Sequence, residues 1–82
     1  MKRLNDLEGE KRMNLIGANI RALRLQANLT QNELSAKLET ITVYICRSSI
    51  SRIENSNRII TDIEIDGISR VLNVPVSDLF KR

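Results

Sequence analysis

Arg47, Ser48, Ser51 and Arg52 stand within one short amphipathic segment, and together they suit one kind of chemistry: donation of hydrogen bonds to acceptors fixed on a partner. An arginine offers paired donors that match the two acceptors on a guanine edge. Serine hydroxyls adapt to any base, and neither residue type carries bulk that blocks approach to the floor of a groove. Covalent chemistry lacks its parts. The chain has no His, so Ser48, Ser49 and Ser51 have neither an imidazole nor a nearby Lys to activate them, and no enzymatic activity is expected. With one Cys and no His there is no basis for a zinc cluster or a disulfide framework, and no metal or cofactor is implied.

Eighty-two residues with 41% apolar content suffice for one small domain with a modest core. The net charge of +3 is unevenly spread. Residues 11–58 hold eight basic side chains against three acidic ones, a local +5, while the segments on either side are each −1. Positive charge therefore gathers around the arginine-bearing segment, as a nucleic-acid partner would require. Cys46 suits a reducing compartment and is expected to be a small packed residue rather than a redox switch. No apolar run approaches the roughly 18 residues of a membrane span. The N-terminus is charged and lacks an apolar core of the signal-peptide kind, so a cytoplasmic protein without membrane attachment is expected.

The periodicity predicts an all-α chain of five short helices that presents these side chains. Residues 1–12 are mostly polar and read as an extension, loose or frayed, ahead of a domain over 13–82. In the first helix Ile16, Ile20, Leu23 and Ala27 recur at helical spacing, and Asn28 suits the left-handed residue that ends it. The second opens on a capping box, Thr30 with Glu33, and turns Leu34 and Leu38 inward. The β-branched run Thr40-Ile41-Thr42-Val43 argues for a turn over about 40–46, with Ile41 or Val43 anchored on the core. A third helix follows over Arg47 to Asn55, burying Ile50 and Ile53 and facing Arg47, Ser48, Ser51 and Arg52 outward. Thr61 and Glu64 form a second capping box for a helix over Asp62 to Leu72, which packs Ile65, Ile68 and Leu72. Asn73-Val74-Pro75 stops it, and a short helix over Val76 to Phe80 closes the core with Leu79 and Phe80.

Four blocks in this order resemble the lambda-repressor-like (XRE) helix-turn-helix family. They are Ile16-Gly17-Ala18-Asn19-Ile20-Arg21-Ala22-Leu23-Arg24, Leu29-Thr30-Gln31-Asn32-Glu33-Leu34, Ile50-Ser51-Arg52-Ile53-Glu54-Asn55, and Leu72-Asn73-Val74 with Asp78-Leu79-Phe80. The resemblance spans Asn14 to Phe80. It implies sequence-specific binding of double-stranded DNA by a transcriptional repressor that acts as a homodimer on a palindromic operator. Arg47, Ser48, Ser51 and Arg52 align with base-reading positions. By the same resemblance Thr30 and Gln31 form one phosphate clamp and Asn55, Asn57 and Arg58 the other, while Arg24 and Glu54 form an ion pair that fixes the recognition helix. The last helix, Phe80 and the loop ahead of the fourth helix would form the dimer surface.

The chain departs from the family pattern at two places. Glu39 stands where a small residue usually closes a tight turn, and extra residues precede the third helix. Ser35 replaces the usual Ala, with a hydroxyl that can bond back to its own helix. A second reading stays open: an antitoxin-like or regulatory module in which the acidic segment Asp62 to Asp66, or the 40–46 connection, docks a protein and DNA is secondary. Removing residues 40–45 is the discriminating change by sequence alone.

Overall fold

The computed structural model describes residues 12–82. The extension expected over 1–12 therefore lies, apart from Arg12, outside the described residues. Five helices follow in order: α1 (Gly17–Gln26), α2 (Gln31–Thr40), α3 (Arg47–Glu54), α4 (Asp62–Leu72) and α5 (Val76–Leu79). Among the described residues there is no strand, and no helix is long and apolar enough to cross a membrane. The expected all-α class holds.

Local chemistry sets where each helix begins. Glu33 N–H donates to Thr30 Oγ1 at 3.0 Å while Thr30 N–H donates to Glu33 Oε1 at 2.8 Å, so both expected halves of the α2 capping box are made. Thr61 and Glu64 repeat the arrangement at α4. The first helix starts differently. Asn14 Oδ1 accepts from the N–H groups of Ile16 and Gly17, at 3.2 and 2.8 Å, and supplies the cap that Ile16 cannot.

Helix ends share one device. Asn28, Thr42, Ser56 and Asn73 take φ of 59, 61, 61 and 58°, the left-handed conformation usually given to Gly. After each, a backbone N–H reaches back into the last turn: Leu29 to Arg24 O, Val43 to Leu38 O, Asn57 to Arg52 O and Val74 to Ser69 O. Asn tolerates this backbone well; Thr42, being β-branched, does not.

The core is Ile16 and Ile20 of the first helical stretch, Leu34 and Leu38 of α2, Val43 and Ile45 of the connection, Ile50 and Ile53 of α3, Ile68 and Leu72 of α4, and Leu79 of α5. Three expectations are corrected. Ala27 is exposed because α1 ends one residue before it. Phe80 is 45% exposed, since α5 stops at Leu79 and that residue alone plugs the core. Cys46 is exposed, because in the extended segment ahead of α3 Val43 and Ile45 point in and their neighbours must point out. Ile45 was not anticipated as a core residue; Ile41 is only partly buried.

Two glycines allow close packing. A Cβ at Gly17 would overlap the carbonyl oxygen of Ile53, so α1 can meet the end of α3 only with Gly there, and a Cβ at Gly67 would press on both methyls of Val43. The α1–α3 junction is completed by Asn14 Nδ2, which donates to Ile53 O at 3.0 Å and Arg58 O at 2.8 Å. Replacing Thr42 by Gly should raise stability by about 1 kcal/mol by relieving the left-handed backbone of a β-branched residue. A chemical denaturation series checks this, and an unchanged or lower midpoint would show that the Thr42 side chain, not its backbone, matters there.

Candidate nucleic-acid interface

The outward face of α3 carries Arg47, Ser48, Ser51, Arg52 and, at the C-cap, Asn55. Ile50, Ile53 and Glu54 take the opposite side and are buried, which turns the remaining positions to solvent. Arg47, Ser48 and Arg52 are exposed and Ser51 is half-buried between them. Ser48, Ser51 and Asn55, the last expected at a phosphate clamp, follow one another at helical spacing.

The single acidic residue of α3 is withdrawn from that face. Arg24 Nε donates to Glu54 Oε2 at 2.7 Å and Arg24 Nη2 to Glu54 Oε1 at 3.0 Å, a bidentate pair with the two side chains 8% and 1% exposed. The carboxylate raises the guanidinium's already high pKa further, chiefly through its hydrogen bonds. Arg24 Nη1 also donates to Leu29 O at 2.7 Å. Gln31 Nε2 donates to Glu54 Oε1 at 3.1 Å, so the side chain expected at a phosphate clamp is joined to the ion pair. Thr30 is exposed with its hydroxyl engaged as the α2 cap. Both residues sit at a helix start, where backbone N–H groups lack intrahelical partners.

Past α3, Asn57 is exposed. Arg58 is held elsewhere: Nη1 and Nη2 donate to Glu64 Oε1 and Oε2 at 3.0 and 2.9 Å, and Nη1 also reaches Ile59 O. This pairing holds the Glu64 carboxyl below the usual carboxylate range and makes Arg58 a tie between the loop and the start of α4. Its charge is largely committed, unlike that of Arg47 and Arg52. The spacing of six residues between Arg58 and Glu64 spans a loop, and no helical or strand period could have signalled the contact.

Other participants were also missed. Ser35 Oγ donates not to its own helix but to Ile45 O at 2.7 Å, fastening the connection to α2. Cys46 stands exposed at the N-cap position of α3, with Sγ 3.3 Å from Ser48 Oγ and 3.4 Å from Ser49 Oγ; these hydroxyls bring the thiol's pKa down to about 6. Ser48 thus has a neighbour on the helix that no motif revealed.

Glu54→Ala should lower stability by about 3 kcal/mol, the low end for one partner lost from a buried ion pair, because Arg24 retains its bond to Leu29 O. Thermal unfolding of the two proteins measures it. An unchanged melting temperature would mean that the pair does not orient α3.

A model of the helix-turn-helix family matches residues 20–79, from within α1 to the last residue of α5. No curated protein matches the chain. The matched span contains both capped helices of the motif, the ion pair between α1 and α3, and the exposed arginines, and by it the chain belongs to the lambda-repressor-like (XRE) family of helix-turn-helix DNA-binding domains.

Proposed function

We propose that this chain is a transcriptional repressor that binds a palindromic operator as a homodimer and reads the major groove with α3. One observation carries the reading: the outward face of α3 bears two exposed guanidiniums and two hydroxyls, while its only carboxylate is buried against Arg24. Such a face offers donors to base edges without repelling phosphates. Arg47 and Arg52 are the main readers, with Ser48, Ser51 and Asn55 adapting between them. The start of α2 at Thr30 and Gln31, together with Asn57, positions the duplex through its phosphates. Exposed apolar side chains at Ile59, Val76 and Phe80 supply surface for a second copy. Selection of bound sites from a random duplex pool tests the reading directly, since it returns motif, symmetry and half-site spacing together.

One observation favours a protein-docking role as a second reading. Ile41 and Val43 of the connection and Asp62, Ile63 and Asp66 of α4 line a single groove of about 490 Å³, which joins the two segments that the sequence offered as separate docking candidates. Deleting residues 40–45 cannot test it, because Val43 and Ile45 belong to the core. Ile63→Glu is the usable change: it should abolish a protein partner and leave duplex affinity intact if the groove serves that partner.

Arg47→Ala and Arg52→Ala should each cost roughly 1–3 kcal/mol on the selected site and blur preference at one base position. Equal losses on selected and random duplexes would reduce both residues to phosphate contacts. For the dimer, affinity should fall steeply with salt, at a log–log slope of roughly −4 to −8. A shallow slope, with one chain bound per full site, would reject the dimeric regulator.

A further inference from the structure

We propose that Tyr44 is a further duplex-contacting residue, its ring lying against a base or sugar edge beside the bases that Arg47 and Ser48 face; this rests on the DNA-binding reading above. The residue is placed by its neighbours. Val43 and Ile45 are both buried, so the alternation of an extended segment turns Tyr44 outward, and it is 72% exposed. Tyr44 stands three residues ahead of Arg47, so its Cα lies within roughly 10 Å of the start of α3. That end of the recognition helix is the one that meets base edges in helix-turn-helix docking.

The ring is also presented on a stiff support. Ser35 Oγ holds Ile45 O at 2.7 Å, and Val43 N–H donates to Leu38 O at 3.0 Å, so the backbone is fixed on both sides of Tyr44. Gly67 admits Val43 against α4, which anchors the same segment from below. A preorganised aromatic loses little conformational freedom on contact. Its phenol has no hydrogen-bond partner among the described residues. Glu39 shares a shallow depression with Tyr44, and its carboxylate would repel a phosphate placed there. The contact is therefore with the apolar edge of a base or sugar, such as a thymine methyl, and not with the backbone charge.

The chain contains one Tyr and no Trp, so its intrinsic emission reports Tyr44 alone. A duplex carrying the selected site is titrated into the full chain, with duplex binding followed separately by anisotropy of an end label. Tyrosine emission should change in step with binding. Tyr44→Ala should weaken affinity for that site about tenfold at an unchanged melting temperature, and Tyr44→Phe should retain most of it. If the duplex binds while emission stays constant and Tyr44→Ala binds as the parent does, the proposal is overturned and the DNA-binding reading survives. Emission that changes on concentrating the protein alone would assign the ring to contacts between copies and likewise overturn it. If no duplex binds, both readings fall.

Discussion

The carboxylate of Glu54 is the point where three helices are joined. Arg24 reaches it from α1 with two hydrogen bonds and Gln31 from α2 with a third, and Glu54 itself ends α3. A buried ion pair gives little net stability, because desolvation offsets most of the attraction. Its value lies in geometry. The planar guanidinium admits few orientations of a bidentate partner, so the last turn of α3 has a set rotation, and with it the side on which Arg47, Ser48, Ser51 and Arg52 emerge. The same contact withdraws the one negative charge of α3 from its outward face.

Close backbone approach makes that contact possible. Gly17 lets α1 touch the carbonyl of Ile53, and Asn14 spans from the start of α1 to Ile53 and to Arg58 beyond α3. Arg58 then ties the same loop to Glu64 at the head of α4. The arginines of the basic segment are not equivalent: Arg24 is buried in its pair with Glu54 and Arg58 is paired with Glu64 while partly exposed, whereas Arg47 and Arg52 are exposed and have no ion pair among the described residues. Net charge measures attraction at long range, but contact depends on which cations lack an internal partner.

The connection between α2 and α3 is shaped by a conflict between sequence and backbone. Its β-branched residues resist helix, so α2 stops at Thr40, yet the stop places Thr42 in a left-handed conformation that suits Gly better. Burial of Val43 and Ile45, together with the Ser35 bond to Ile45 O, holds it there. An extended segment so anchored has one free face, and Tyr44 and Cys46 occupy it.

Signals that act over one helical turn were open to reading from the chain alone. The capping boxes Thr30–Glu33 and Thr61–Glu64, the inward spacing of Leu34 with Leu38 and of Ile50 with Ile53, and the left-handed Asn28 all rest on residues three or four apart, and each sits where its local chemistry requires. The outward face of α3 followed from the same period, and the family from blocks whose order survives in one dimension. Only tertiary structure decided the partners across greater separations. Gln31 turned to Glu54, Arg58 to Glu64, Ser35 to Ile45, Asn14 to the end of α3, and Phe80 out of the core. A side chain with several donors satisfies whichever acceptor packing brings near, and that choice depends on the positions of whole helices, which no local pattern encodes.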